Sequence, residues 1–218
     1  MEKRPKNYPV FIGLVGYAKS GKDTAALGIK NCVEQLFHIP VSQTAFADTI
    51  RQIGLLFGYT KEQMTDQSLK ETFCNPMFPM VTPRKFMQLV GSEMFRNHLD
   101  KDCWVKIVEH AILRDIKLSE DSDEKENSNP VWFRVITDVR FPNEAEMIKK
   151  HGGFLVRVKR EGLESADWQK HESEAYIDKI EVDYTLVNDA PTAEAFRSRA
   201  GLAITGEFLQ SKGIFLHA

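Results

Sequence analysis

Two kinds of segment emerge from the apolar positions of this chain. At 10–15 stands VFIGLV, a run interrupted by no polar residue and partly β-branched, which is the pattern of a parallel strand buried on both faces. A glycine loop follows it, and from Asp23 to about Phe37 the apolar spacing turns helical. Comparable strand candidates are VSQTAF (41–46), VWFRVIT (131–137), FLVRVKR (154–160) and YTLVN (184–188), with helical patterns between most of them. Strands alternating with helices predict an α/β fold, a three-layer sandwich with a parallel central sheet. A helix is expected over NEAEMIKKHG after Asp138, with Gly152-Gly153 as its C-cap. Between Thr49 and about Leu118 only helical patterns occur, one of them begun by Pro83. Residues 1–218 therefore read as a single domain with a helical insertion at about 49–118. The acidic, turn-rich SEDSDEKENSNP (119–130) reads as a solvated loop, and no internal repeat is present.

Composition narrows the function classes. With 218 residues, a formal net charge of −2 and a pI near 6.3, the chain has no overall field for nucleic acid or an acidic membrane, so any anion site must be local. Cys32, Cys74 and Cys103 are widely spaced, form no C-x-x-C and are odd in number, which fits a reducing cytosol. The apolar run near the start is too short to span a membrane and leads directly into the glycine loop, as a buried strand does.

That loop is GYAKSGKDT (16–24). Gly16, Gly21 and Lys22 fill a phosphate-binding pattern in which glycines turn backbone N–H groups inward, the helix start adds a positive dipole, and the lysine reaches the β and γ phosphates. Lys19 and Ser20 lie inside it. Asp23 occupies the place usually held by a hydroxyl residue, and the hydroxyl comes one position later, at Thr24. Thr24 can serve the α-phosphate from the first helical turn, and Asp23 can hold magnesium through its waters, because magnesium keeps several waters in such sites. The alternative is a glycine-rich turn capped by Ser20 or Asp23 with Lys22 exposed.

Other candidates cluster after strands or along helices. VITDVRF puts Asp138 and Arg140 just past an apolar strand, at the end where ligands of parallel sheets bind. Asp138 is expected near magnesium or substrate and Arg140 on a phosphate; the alternative is an Asp–Arg pair capping the next helix, with Asn143 also available. Arg84, Gln88 and Gly91 share one side of a helix, where arginine can grip a phosphate and glutamine can read a base edge. The alternative is a solvated face over a core of Phe86, Leu89 and Val90. Asp48 and Arg51 are placed to enclose an acceptor phosphate, or to serve as a helix-start cap and a surface charge. His171 has no partner at metal-ligand spacing, so zinc is not expected, and no G-x-S-x-G points to covalent catalysis.

GKDT, RKFMQLVGSEMFRNHLDKDCWV, VITDVRFPNEAE, KHESEA and LVND, in that order, resemble the bacteriophage deoxynucleoside monophosphate kinases over nearly the full chain. One departure is Ala18-Lys19, where the phage enzymes carry two basic residues inside the loop. The resemblance implies a P-loop kinase that transfers the γ-phosphoryl group of ATP, bound with magnesium, to a deoxynucleoside monophosphate, giving ADP and the diphosphate. It implies a lid at about 160–176 carrying Arg160, otherwise an ordinary charged connection; a Trp104 packed on the base or sugar, otherwise a core or interface aromatic; and Asn188 and Asp189 near the donor adenine, otherwise turn formers. Asp23 and Asp138 would lie at the magnesium, while Lys22, Arg140 and Arg160 would act on the transferring group. Small nucleotides are the expected partners, without nucleic acid or membrane, and a homodimer is allowed. Two alternatives stay open: a kinase of a small phosphorylated metabolite of the phosphomevalonate or dephospho-coenzyme A type, and a nucleotide-binding switch.

Overall fold

The computed structural model describes residues 10–120, 133–162 and 175–214, which fall into two compact units: Phe46–His110 and the remainder. The larger unit is built on five strands, β1 (Val10–Val15), β2 (Val41–Thr44), β3 (Phe133–Val139), β4 (Phe154–Lys159) and β5 (Tyr184–Val187). They form one sheet in the order β2-β3-β1-β4-β5 with every neighbouring pair parallel, as the alternating pattern predicts.

β1 is central, pairing Val10 with Phe133 on one side and Val15 with Arg157 on the other, and it is buried throughout. Its alternate residues serve different faces. Val10, Ile12 and Leu14 enter a core with Ile29 and Val33 of helix α1 (Lys22–Phe37) and Phe196 and Ala200 of helix α7 (Ala193–Leu202). On the opposite face, a Cβ at Gly13 would lie 2.5 Å from Ile148 Cδ1 of α6 (Pro142–Lys150), so glycine there lets α6 close on the sheet. α1 and α7 touch backbone to backbone through Gly28 and Gly201. Beyond α7 the helix widens into a π-turn, Ala203–Phe208, before α8 (Leu209–Ser211), and Phe208 packs on Phe154 and Tyr184.

The smaller unit contains α2 (Asp48–Leu56), α3 (Lys61–Thr65), α4 (Pro83–Gln88) and the first part of α5 (Cys103–Glu120). Phe86 meets Phe57 and Tyr59 with ring centroids 5.3 and 5.0 Å apart. Buried Asn75 fixes the connection after α3, donating to Phe57 O and accepting from the Met77 and Phe78 amides.

Several boundaries move. β2 stops at Thr44 rather than 46, and β3 runs Phe133–Val139, which puts Asp138 inside the strand; positions 131 and 132 lie outside the described residues. α5 continues to Glu120, so 119 and 120 are helical, while 121–130 lie outside the described residues. The helix begun by Pro83 changes to π geometry at Leu89–Arg96, a shift that apolar spacing does not reveal.

Candidate active site

β1 delivers the chain into the glycine loop. A Cβ at Gly16 would stand 2.6 Å from the Val158 carbonyl oxygen and 2.8 Å from Ser20 Oγ, so glycine permits a loop lying this close to β4. Gly21 has φ +105°, is the cap of α1, and would bring a Cβ to 2.6 Å from Asn188 Nδ2. Lys19 is left-handed at φ +63° without being glycine. Left-handed residues in a tight turn rotate successive N–H groups toward one side, which is how backbone concavities bind anions.

Three features of the loop suit an anion. Lys22 is only 8% exposed and folds over the loop, its Nζ donating to Gly16 O and Tyr17 O at 2.7 Å each. Ser20 is 1% exposed, and its Oγ has no hydrogen-bond partner. α1 begins without a side-chain cap, whereas α3, α4 and α7 each donate a first-turn amide to Thr60, Thr82 or Thr192. Uncapped helix-start amides together with a buried unpaired hydroxyl are what a phosphate would satisfy. Asp23 is exposed in the first turn and Thr24 is half-buried beside it.

Because all strands are parallel, Gly16, Arg140, Arg160 and Asn188 follow β1, β3, β4 and β5 at the same edge of the sheet. The chain leaves β1 toward β2 and leaves β4 toward β5, opening the crevice where such sheets bind ligands. Asn188 braces the loop: its Nδ2 donates to Ser20 O at 2.9 Å and its backbone N–H to Lys159 O at 2.7 Å. One donor of its side-chain amide is thus used on the loop backbone. Asp189 pairs with Arg199 at 2.5 Å. Asp138 is half-buried near the end of β3. Buried Glu144 accepts at Oε2 from the Arg140 and Phe141 amides at 2.8 and 3.1 Å, and Asn143 Oδ1 accepts from the first-turn Glu144 amide at 3.1 Å. Arg160 is exposed; of the lid expected at about 160–176, residues 163–174, including His171, lie outside the described residues.

In the smaller unit, Arg84 Nε donates to Glu71 and Nη2 reaches Gln67 at 3.4 Å, while half-buried Gln88 closes α4. Asp48 and Arg51 pair with each other at 2.5 Å across one turn of α2. Of the two readings of Trp104, its burial favours the core aromatic. It is 3% exposed, its ring lies 5.2 Å from Phe95, and its indole N–H donates to Gly91 O at 2.7 Å inside the π-turn. An indole so enclosed presents no face on which a base could stack. Trp104→Phe is expected to lower stability by about 1–2 kcal/mol, the cost of a buried carbonyl losing its donor, and to leave base preference unchanged; a changed preference among nucleotides would restore the contact. Burial pushes the neighbouring Cys103 thiol up, so it stays protonated and unsuited to nucleophilic attack.

A lysine-bearing glycine loop between the first strand and first helix of a five-stranded parallel sheet defines the class, an α/β fold of the P-loop kinase type. The chain belongs to the deoxynucleotide monophosphate kinase family, whose pattern it matches over residues 58–199. It is 36% identical to an Acanthamoeba polyphaga mimivirus protein provisionally named deoxynucleotide monophosphate kinase, over 199 residues that cover 87% of this chain and 93% of the viral protein. It is 33% identical to the deoxynucleoside-5'-monophosphate kinase of Escherichia phage T5 over 113 residues, half of this chain and 40% of the phage protein. The deoxynucleotide monophosphate kinase of Escherichia phage RB69 is 30% identical over 113 residues, 52% of this chain and 41% of that protein. The family expected from the motifs is therefore the one to which the chain belongs. No helix among the described residues is long and apolar enough to cross a membrane.

Proposed function

We propose that this kinase takes the γ-phosphoryl group of ATP and transfers it to the 5′-phosphate of a deoxynucleoside monophosphate. The observation that carries the donor half is the uncapped start of α1 beside the buried, unpartnered Ser20 hydroxyl. Gly16, Lys19, Ser20, Gly21, Lys22 and Thr24 cradle the donor phosphates, with the Lys22 ammonium already folded over the loop. Asp23 and Asp138 are the carboxylates assigned to magnesium, and no group of three or more metal-ligating side chains occurs among the described residues. That donor set fits an ion held mostly by water and phosphate. When bound, magnesium neutralises charge on the nucleotide's phosphates.

Arg140 and Arg160 are assigned to the transferring group, Arg84 to the acceptor phosphate, and Gln88 to the base. Asp48 and Arg51 support the acceptor. A monophosphate is already nucleophilic at neutral pH, so positioning and charge neutralisation carry the chemistry without a strong general base. With Trp104 enclosed, the preference for a nucleobase over a phosphorylated metabolite rests on Gln88 and on the family.

The test is incubation of the purified protein with ATP, magnesium and each deoxy- and ribonucleoside monophosphate, following ADP and diphosphate together. Diphosphate from one or a few deoxynucleotides is the expected result. ATP binding without transfer to any nucleotide would overturn the acceptor assignment, and transfer to dephospho-coenzyme A or phosphomevalonate instead would replace it.

A further inference from the structure

The second position of the glycine loop is free in the motif, yet here it holds a tyrosine bonded far across the chain. Tyr17 donates its hydroxyl proton to Asp178 Oδ2, 161 residues away. Its carbonyl is the point on which the loop's phosphate-binding residues converge, accepting Lys22 Nζ at 2.7 Å and the Ser20 amide at 3.2 Å. Tyr17 therefore ties both residues to whatever holds Asp178.

What holds Asp178 is rigid. It lies in the 3₁₀ turn Ile177–Lys179, flanked by buried Ile177 and Ile180. Arg157 of β4 grips the turn on both sides of Asp178, its Nη2 donating to Ile177 O at 3.1 Å and Ile180 O at 2.5 Å. Arg157 is in turn the register partner of Val15, the residue before the loop. Tyr176 packs its ring on Phe141, 5.9 Å between centroids, beside the start of α6. The loop is thus fastened at its root by β1 and at its second residue by a turn built on the adjacent strand.

We infer that Tyr17 and Asp178 are positioning residues for the phosphate loop, holding the Tyr17 carbonyl and so Lys22 and Ser20 in the geometry that receives the donor nucleotide. The inference rests on the donor site proposed above. A loop fixed before binding gives up less freedom on binding, so the pair contributes to donor affinity while touching no substrate atom. A phenol bonded to a carboxylate is a charge-assisted hydrogen bond, stronger than a neutral one, although the exposed setting limits its effect.

The experiment compares wild type with Tyr17→Phe, Asp178→Ala, Asp178→Asn and the Tyr17→Phe/Asp178→Ala double variant, by calorimetric titration with magnesium-ATP, by steady-state kinetics and by thermal unfolding. Tyr17→Phe removes one hydroxyl and keeps the ring, so it reports even if Asp178→Ala misfolds. The expected result is an ATP Kd and KM raised about 5- to 20-fold in both single variants, with kcat within about threefold of wild type. The double variant is expected to match the singles, as two ends of one bond should, and Asp178→Asn, whose amide oxygen still accepts, to recover most of the affinity. Unchanged ATP affinity in Tyr17→Phe, or additive losses in the double variant, would overturn the inference while leaving the donor site standing. An Asp178→Asn variant as weak as Asp178→Ala would assign the effect to charge and overturn it too. Wild-type protein that binds no ATP would remove the donor assignment and this inference with it.

Discussion

Lys22→Ala is expected to lower kcat/KM for phosphoryl transfer by about a thousandfold, roughly 4 kcal/mol of transition-state stabilisation, with little change in the melting temperature. The size follows from where the ammonium sits. Lys22 Nζ is folded over the loop and buried, so it is positioned before any phosphate arrives and needs no reorganisation at the moment of transfer. The fold should survive because a water can take the place of the ammonium on the Gly16 and Tyr17 carbonyls at small cost, and the side chain is not part of the apolar core. Activity and thermal unfolding measured on the same preparation check both halves. A folded Lys22→Ala protein with wild-type turnover would remove the glycine loop from the donor site.

The largest effect on stability is expected at Gly28, which is remote from the chemistry. A Cβ there would lie 2.0 Å from the Arg197 carbonyl oxygen, and one at Gly201 would lie 2.6 Å from the Gly28 carbonyl oxygen. Both obstacles are backbone, so no rotamer change relieves them. Alanine at 28 would have to push α1 away from α7 and open the core they share with β1. Gly28→Ala is expected to cost about 3 kcal/mol, the upper part of the overpacking range, and Gly28→Val to abolish folding at ordinary temperature. Gly206→Ala is the control, since a Cβ there meets nothing within 4 Å and the change should be near neutral. Urea unfolding decides it: a midpoint for Gly28→Ala equal to that of wild type would mean that the helices are not in contact at this point.

The readability of these features depended on their range along the chain. The sheet and the loop were legible because each strand is a local apolar run, and because the helix, the glycines and Lys22 fall within nine residues of one another. Contacts between distant segments left no such trace. Nothing local marks Tyr17 as the partner of Asp178, or Asn188 as a brace for Ser20 rather than a turn former. Trp104 shows a different limit, for an aromatic residue near candidate site residues is equally at home on a substrate or in a core. The deciding fact was the Gly91 carbonyl it caps in the π-turn, and apolar spacing does not distinguish that turn from an ordinary helix. Glu144 was missed because Phe141 occupies the capping position where serine or threonine would have signalled it.

The pairing of α1 with α7, and of the loop with Asn188, also sets an order of assembly on the ribosome. β1 and the glycine loop are made before the strands that flank β1, which begin at Phe133 and Phe154, and the brace and the covering helix come only at 188–202. The glycine loop therefore lacks its brace until Asn188 has been made. The Phe46–His110 unit, one uninterrupted stretch, has every residue of its own core available long before that. If the loop needs this brace and this helix, nucleotide binding is expected only once residues 188–202 have been made.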